Sequence, residues 1–125
     1  MDPAAAASSW ALIIEDDADN CEWIAEILKE QGYEAQLAMT LEDGFRKLAE
    51  RVPACVVLDL GLPDGNGVEI LRHVRRLGIP TKVAVVSGSN DFSTVGTAVL
   101  LEPDAFFRKP VRAAELMNWV ASVCR

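Results

Sequence analysis

Five short apolar runs alternate along this chain with segments whose apolar residues recur at helical spacing, and no other feature limits its fold so sharply. Three of the runs, WALII (10–14), ACVVLDL (54–60) and TKVAVV (81–86), are nearly unbroken. A strand with one wet face alternates polar and apolar residues, so runs of this kind belong to strands covered on both faces. YEAQLA (33–38) and AFFR (105–108) are weaker or shorter strand candidates. Between the runs, residues 18–31 place Trp23, Ile24, Ile27 and Leu28 on one helical face, and Gly32 stands where a left-handed cap ends the last turn. Thr40 caps a second helix with Leu41, Phe45 and Leu48 inward, and Asp43 completes an acidic capping box. A third helix over 68–77 turns Val68, Leu71 and Val74 inward after the turn-rich loop GLPDGNG (61–67). A fourth, at 91–101, is weakly patterned, and a fifth, at 112–124, carries Leu116, Trp119, Val120 and Val123 on one side.

Strand–helix alternation of this kind implies a parallel sheet, because right-handed crossovers lay successive helices on its two faces. Five βα units predict an α/β fold: a flavodoxin-like doubly wound (βα)5 sandwich with strand order 2-1-3-4-5. At 125 residues there is room for one core, here 10–125; residues 1–9 are low in complexity and read as a disordered leader or expression remnant. Twelve Lys plus Arg against nineteen Asp plus Glu give a net charge of −7, which argues against direct nucleic-acid binding or an anionic membrane surface. No run approaches the roughly 20 apolar residues of a membrane helix, and MDPAAAASS lacks the pattern of a secretory signal, so a cytoplasmic location is expected. Cys21, Cys55 and Cys124 are widely spaced in apolar surroundings and read as buried thiols rather than a disulfide framework.

In doubly wound sheets, ligands gather outside the carboxyl ends of the strands. There the first strand leads into Glu15, Asp16 and Asp17, the third into Asp59, the fourth into Ser87, and the fifth into Lys109 and Pro110. Carboxylates at Glu15, Asp16 and Asp59 repel one another unless a cation lies among them, and an all-oxygen donor set favours Mg²⁺ over zinc. A lysine and a serine hydroxyl nearby are groups that hold phosphoryl oxygens. A carboxylate nucleophile in that setting forms an aspartyl phosphate, and Asp59, at the tip of the central strand, is best placed for it.

At these residues the chain resembles the receiver domain of two-component response regulators over roughly 10–124, through LIIEDD, VVLDLGLPDGNG, VAVVSGS and FFRKP in the family's order and spacing. The resemblance implies that Asp59 takes a phosphoryl group from a phosphohistidine on a sensor histidine kinase or a histidine phosphotransfer protein. It implies Mg²⁺ bound by Asp16, Asp59 and the Gly61 backbone carbonyl, with Glu15 acting through water. Lys109 would pair with phosphoryl oxygens, assisted by the Ser87 hydroxyl and the Gly88 backbone amide, and Ser87 would move together with Phe106 in the switch. Gly61 and Ser89 would border the route of an attacking water. Output would be an altered surface in the fourth strand, fourth helix and fifth strand, read by an effector domain or protein, with homodimerisation one such use.

Several residues depart from that pattern or have simpler readings. Phe106 lacks a tyrosine's hydroxyl, and Glu102-Pro103 stand where the family usually has Gly-Ala. Asp17 and Asp19 serve a helix N-terminus. Residues 63–67 are turn formers, His73 lies on a solvated or partly covered helix face, the cluster Arg72, Arg75, Arg76 is solvated, and Trp10, Trp23 and Trp119 are packing. The AVLL run in the fourth helix reads as a contact surface. Two rival functions have their own signatures. A haloacid dehalogenase-type phosphatase needs a second Asp two residues past the nucleophile, where this chain has Gly61; a degenerate receiver acting only as a scaffold would lack part of the set Glu15, Asp16, Asp59, Ser87 and Lys109.

Overall fold

The computed structural model describes residues 9–88 and 92–123; the expectations for residues 1–8, Ser89, Asp91 and Cys124 lie outside the described residues. The chain runs β1 (Trp10–Ile14), α1 (Ala18–Glu30), β2 (Glu34–Ala38), α2 (Leu41–Glu50), β3 (Cys55–Asp59), α3 (Val68–Leu77), β4 (Lys82–Ser87), α4 (Phe92–Leu100), β5 (Ala105–Arg108) and α5 (Ala113–Val123). The five strands form one parallel sheet in the order β2-β1-β3-β4-β5, as the alternation predicts. Edges differ by a residue from the sequence reading: Thr81 precedes β4 and Ser87 belongs to it. Among the described residues no helix is long and apolar enough to cross a membrane.

Because successive strand residues point to opposite faces, the unbroken apolar runs divide into two cores. Trp10, Leu12 and Ile14 of β1, Val56 and Leu58 of β3, and Val83 and Val85 of β4 pack with α2, α3 and α4. Ala11, Ile13, Cys55, Val57 and Val86 pack with α1 and α5 through Ile24, Ile27, Leu28, Leu116 and Val120. Cys21 and Cys55 are buried free thiols. Trp119 and Val123 are only partly covered, but they pack against this second core as their spacing suggests.

The helix ends follow the sequence closely. Asp17 caps α1, Gly32 takes a φ of +91° beyond it, and Gly78 ends α3 at +62°. The Thr40 hydroxyl accepts from the Asp43 N–H at 3.1 Å, while the Asp43 carboxylate pairs with Arg46, so half of the expected capping box forms. The other cap of α2 comes from a distant loop: Asp64 accepts from the N–H groups of Leu41 (2.7 Å) and Glu42 (3.0 Å). That loop is itself a two-residue antiparallel ribbon, Gly61–Leu62 against Gly65–Asn66.

One solvated reading is corrected. Arg75 is not free in solvent: it donates to the carbonyls of Leu101 (3.2 Å) and Glu102 (2.7 Å) and pairs with Asp104 at 3.2 Å. Asp104 in turn accepts from the Val83 N–H. This clasp holds the unusual Glu102-Pro103 turn, in which Glu102 adopts a left-handed φ of +52°.

Candidate functional site

Register brings the strand ends level. Ala38, Ile14, Leu58, Val85 and Phe106 lie in one row across the sheet. Glu15 and Asp59 therefore emerge side by side one step beyond it, both on the α1–α5 face, with Ser87 and Lys109 further out. Glu15 is 3% exposed and Asp59 7%, while Asp16 lies open at the rim. Carboxylate oxygens of the three lie within 4.8 Å of one another.

Lys109 reaches back from the end of β5 to place its Nζ 3.1 Å from Asp59 Oδ2 and 3.3 Å from Glu15 Oε1. Asp59 Oδ1 accepts from the Gly61 N–H at 3.1 Å. Gly67 allows the loop to close on this strand end, because a Cβ there would lie 2.1 Å from the Asp59 carbonyl oxygen. Glu15 Oε1 also accepts from Asn20 Nδ2 at 2.7 Å, whereas Glu15 Oε2 is buried without a partner.

The electrostatics reflect crowding. Burial, then the close approach and charge of the Asp59 carboxylate, push the Glu15 carboxyl up to about 7, against the opposing pull of Asn20 and Lys109. Burial disfavours the Lys109 ammonium, but its bonds and charge pairing with Asp59 and Glu15 prevail and raise its pKa. Burial and the nearby acidic groups push the Cys21 thiol up to about 11, so it stays a thiol.

Beside this cluster a pocket of about 500 Å³ opens between α1 and the segment after β5. Glu15, Asp59, Gly88 and Lys109 line its polar end; Trp23, Ile24, Val57 and Val111 are among its apolar walls. Ser87 and Phe106 do not share it. Ser87 continues the series Val83–Val85, and Phe106 packs against the same core, so both stand on the α4 side of the sheet. The site is thus two-sided, with an acidic pocket towards α1 and α5 and a serine–phenylalanine pair towards α4.

A cluster of three carboxylates with one buried oxygen lacking a partner, and with no nitrogen or sulfur donor among its members, can hold a hard metal ion. A lysine already bridging two of those carboxylates can bind an added oxyanion. The family model of the response regulator receiver domain matches residues 11–121. This chain belongs to that family. It is 28% identical over 107 residues to the photosynthetic apparatus regulatory protein RegA of Rhodobacter capsulatus, covering 86% of this chain and 58% of that protein. It is 33% identical over 105 residues to the KDP operon transcriptional regulatory protein KdpE of Escherichia coli, covering 84% of this chain and 46% of that one. The receiver thus spans about half the length of these regulators. Its fold superposes on a CheY-like receiver domain protein from Methanospirillum hungatei with a TM-score of 0.84 at 26% identity, covering 93% of both chains.

Two residues of the receiver site escape a reading by motif. Asn20 lies in the first turn of α1 and contacts Glu15, and Trp23, read as packing alone, donates its indole N–H to Asn20 at 3.2 Å and lines the pocket. An amide at the start of the helix after an acidic strand end was the available signal.

Proposed function

We propose that this receiver accepts a phosphoryl group on Asp59 from a phosphohistidine of a sensor histidine kinase or histidine phosphotransfer protein, with Mg²⁺, and so alters a surface read by an effector. The observation that supports it best is the placement of Lys109 within 3.3 Å of both Glu15 and Asp59. An ammonium there stabilises the resting carboxylates and stands ready to pair with phosphoryl oxygens.

In this reading Asp16, Asp59 and the Gly61 carbonyl would hold Mg²⁺, with Glu15 acting through water, and the ion would supply positive charge against the negative charge gathering on the phosphoryl oxygens. A carboxylate oxygen of Asp59 attacks phosphorus as the P–N bond breaks. The electron pair stays on the imidazole nitrogen, which takes up a proton from solvent. Lys109 and the Gly88 N–H then hold the phosphoryl oxygens, and Ser87, coming from the α4 side, adds a hydroxyl. That movement opens space for Phe106 and biases β4, α4 and β5 towards a second arrangement. Val99 and Leu100, the latter 84% exposed, supply apolar surface on α4 for a partner or a second copy.

Incubation with acetyl phosphate or phosphoramidate and Mg²⁺, read by intact mass, tests this. The expected result is one added phosphoryl group, absent with EDTA and absent in Asp59→Asn. No adduct with either donor would leave a scaffold role in its place.

A further inference from the structure

Glu15, Asn20 and Trp23 form a line of donors and acceptors that begins in the acidic cluster and ends on α1. Asp17 caps this helix, accepting from the backbone N–H of Asp19 (2.9 Å) and Asn20 (3.3 Å), which sets where its first turn begins. Trp23 comes after Asn20 by the three-residue step that makes side chains neighbours on a helix. An indole N–H donates and cannot accept. Asn20 must therefore turn Oδ1 towards Trp23, at 3.2 Å, and its Nδ2 faces the other way, to Glu15 Oε1 at 2.7 Å.

The consequence falls on the carboxylate. The terminal torsion of a glutamate is broad, so nothing intrinsic fixes the plane in which its two equivalent oxygens lie. Here Oε1 is occupied by Asn20 and Lys109, and Oε2 is the buried oxygen left without a partner. We propose that Asn20 and Trp23 are positioning residues for the cation site, the indole orienting the amide and the amide holding Glu15 in the one orientation that leaves Oε2 for the hydrated ion. This rests on reading Glu15, Asp16 and Asp59 as a Mg²⁺ site.

Trp23→Phe keeps an aromatic ring against the pocket wall but removes the N–H donor together with the five-membered half of the indole, a loss of volume that Trp119→Phe reproduces. Mg²⁺ binding to the full chain, measured by calorimetric titration, should weaken about tenfold in Asn20→Ala, the lower end for groups that orient a metal ligand, and measurably but by less in Trp23→Phe, which acts one hydrogen bond further from the carboxylate. Trp119→Phe alters a second half-buried tryptophan that packs against the α1–α5 core. It should leave the Mg²⁺ Kd unchanged, which separates orientation from packing. Melting curves of each variant accompany the titrations. Folded Trp23→Phe and Asn20→Ala binding Mg²⁺ as tightly as wild type would overturn the proposal, as would an equal loss in Trp119→Phe. A wild-type chain that neither binds Mg²⁺ nor takes a phosphoryl group would instead overturn the reading of the site itself.

Discussion

The raised Glu15 pKa makes a statement about stability. Its folded value, about 7, lies above the ordinary 4.5, so the neutral acid is favoured by folding. The metal-free protein then carries this contribution in full below about pH 4.5 and loses it as pH rises through about 7, a span worth up to about 3 kcal/mol. Exposed carboxylates such as Asp64, whose bonds to the Leu41 and Glu42 amides lower its pKa, act in the opposite sense. The difference between wild type and Glu15→Gln in EDTA isolates the first effect. Urea melts across this range should show wild type losing stability relative to the variant as pH rises; parallel curves would contradict it. Gly67→Ala tests close approach, since its methyl would meet the Asp59 carbonyl oxygen at 2.1 Å. Either the loop shifts or the variant destabilises by about 2 kcal/mol or more, as overpacking does, and thermal melts with phosphorylation yield read both.

Two tethers act between elements. Asp64 ties the ribbon after β3 to the N-terminus of α2, and Arg75 ties the end of α3 to the turn between α4 and β5. Asp64→Ala should speed hydrogen exchange at the Leu41 and Glu42 amides while leaving β3 protected. Arg75→Ala removes hydrogen bonds that involve a charged group, a loss of about 2 kcal/mol, and should speed exchange at the Val83 amide as Asp104 loses the nearer of its two cationic partners, Lys82 remaining at 3.9 Å; unchanged exchange there would deny the clasp. Neither tether was legible in the sequence. Both run to main-chain groups far along the chain, and only the folded path decides which ones come within reach. The elements themselves were legible because continuous apolar runs leave a strand few alternatives, and errors of a residue at Thr81 and Ser87 arose where the run shades into the loop.

At the scale of the molecule, parallel order brings distant acids and a lysine to one edge, and this much could be read from the polar residues at the carboxyl end of each strand. The division of the site into two faces could not, because it depends on pleat phase and register: Asp59 continues the series Cys55–Val57, and Ser87 the series Val83–Val85. Asn20 and Trp23 were hidden for a related reason, being ordinary helix residues until the helix is docked. The central claim is that Asp59 carries the phosphoryl group as an acyl phosphate. Borohydride reduction of the phosphorylated chain and then peptide mapping tests it most directly, since an acyl phosphate is reduced to an alcohol and an ionised carboxylate is not. Homoserine at position 59 and nowhere else is the predicted result; homoserine at another acidic residue, or a phosphoryl group that survives reduction, would contradict it.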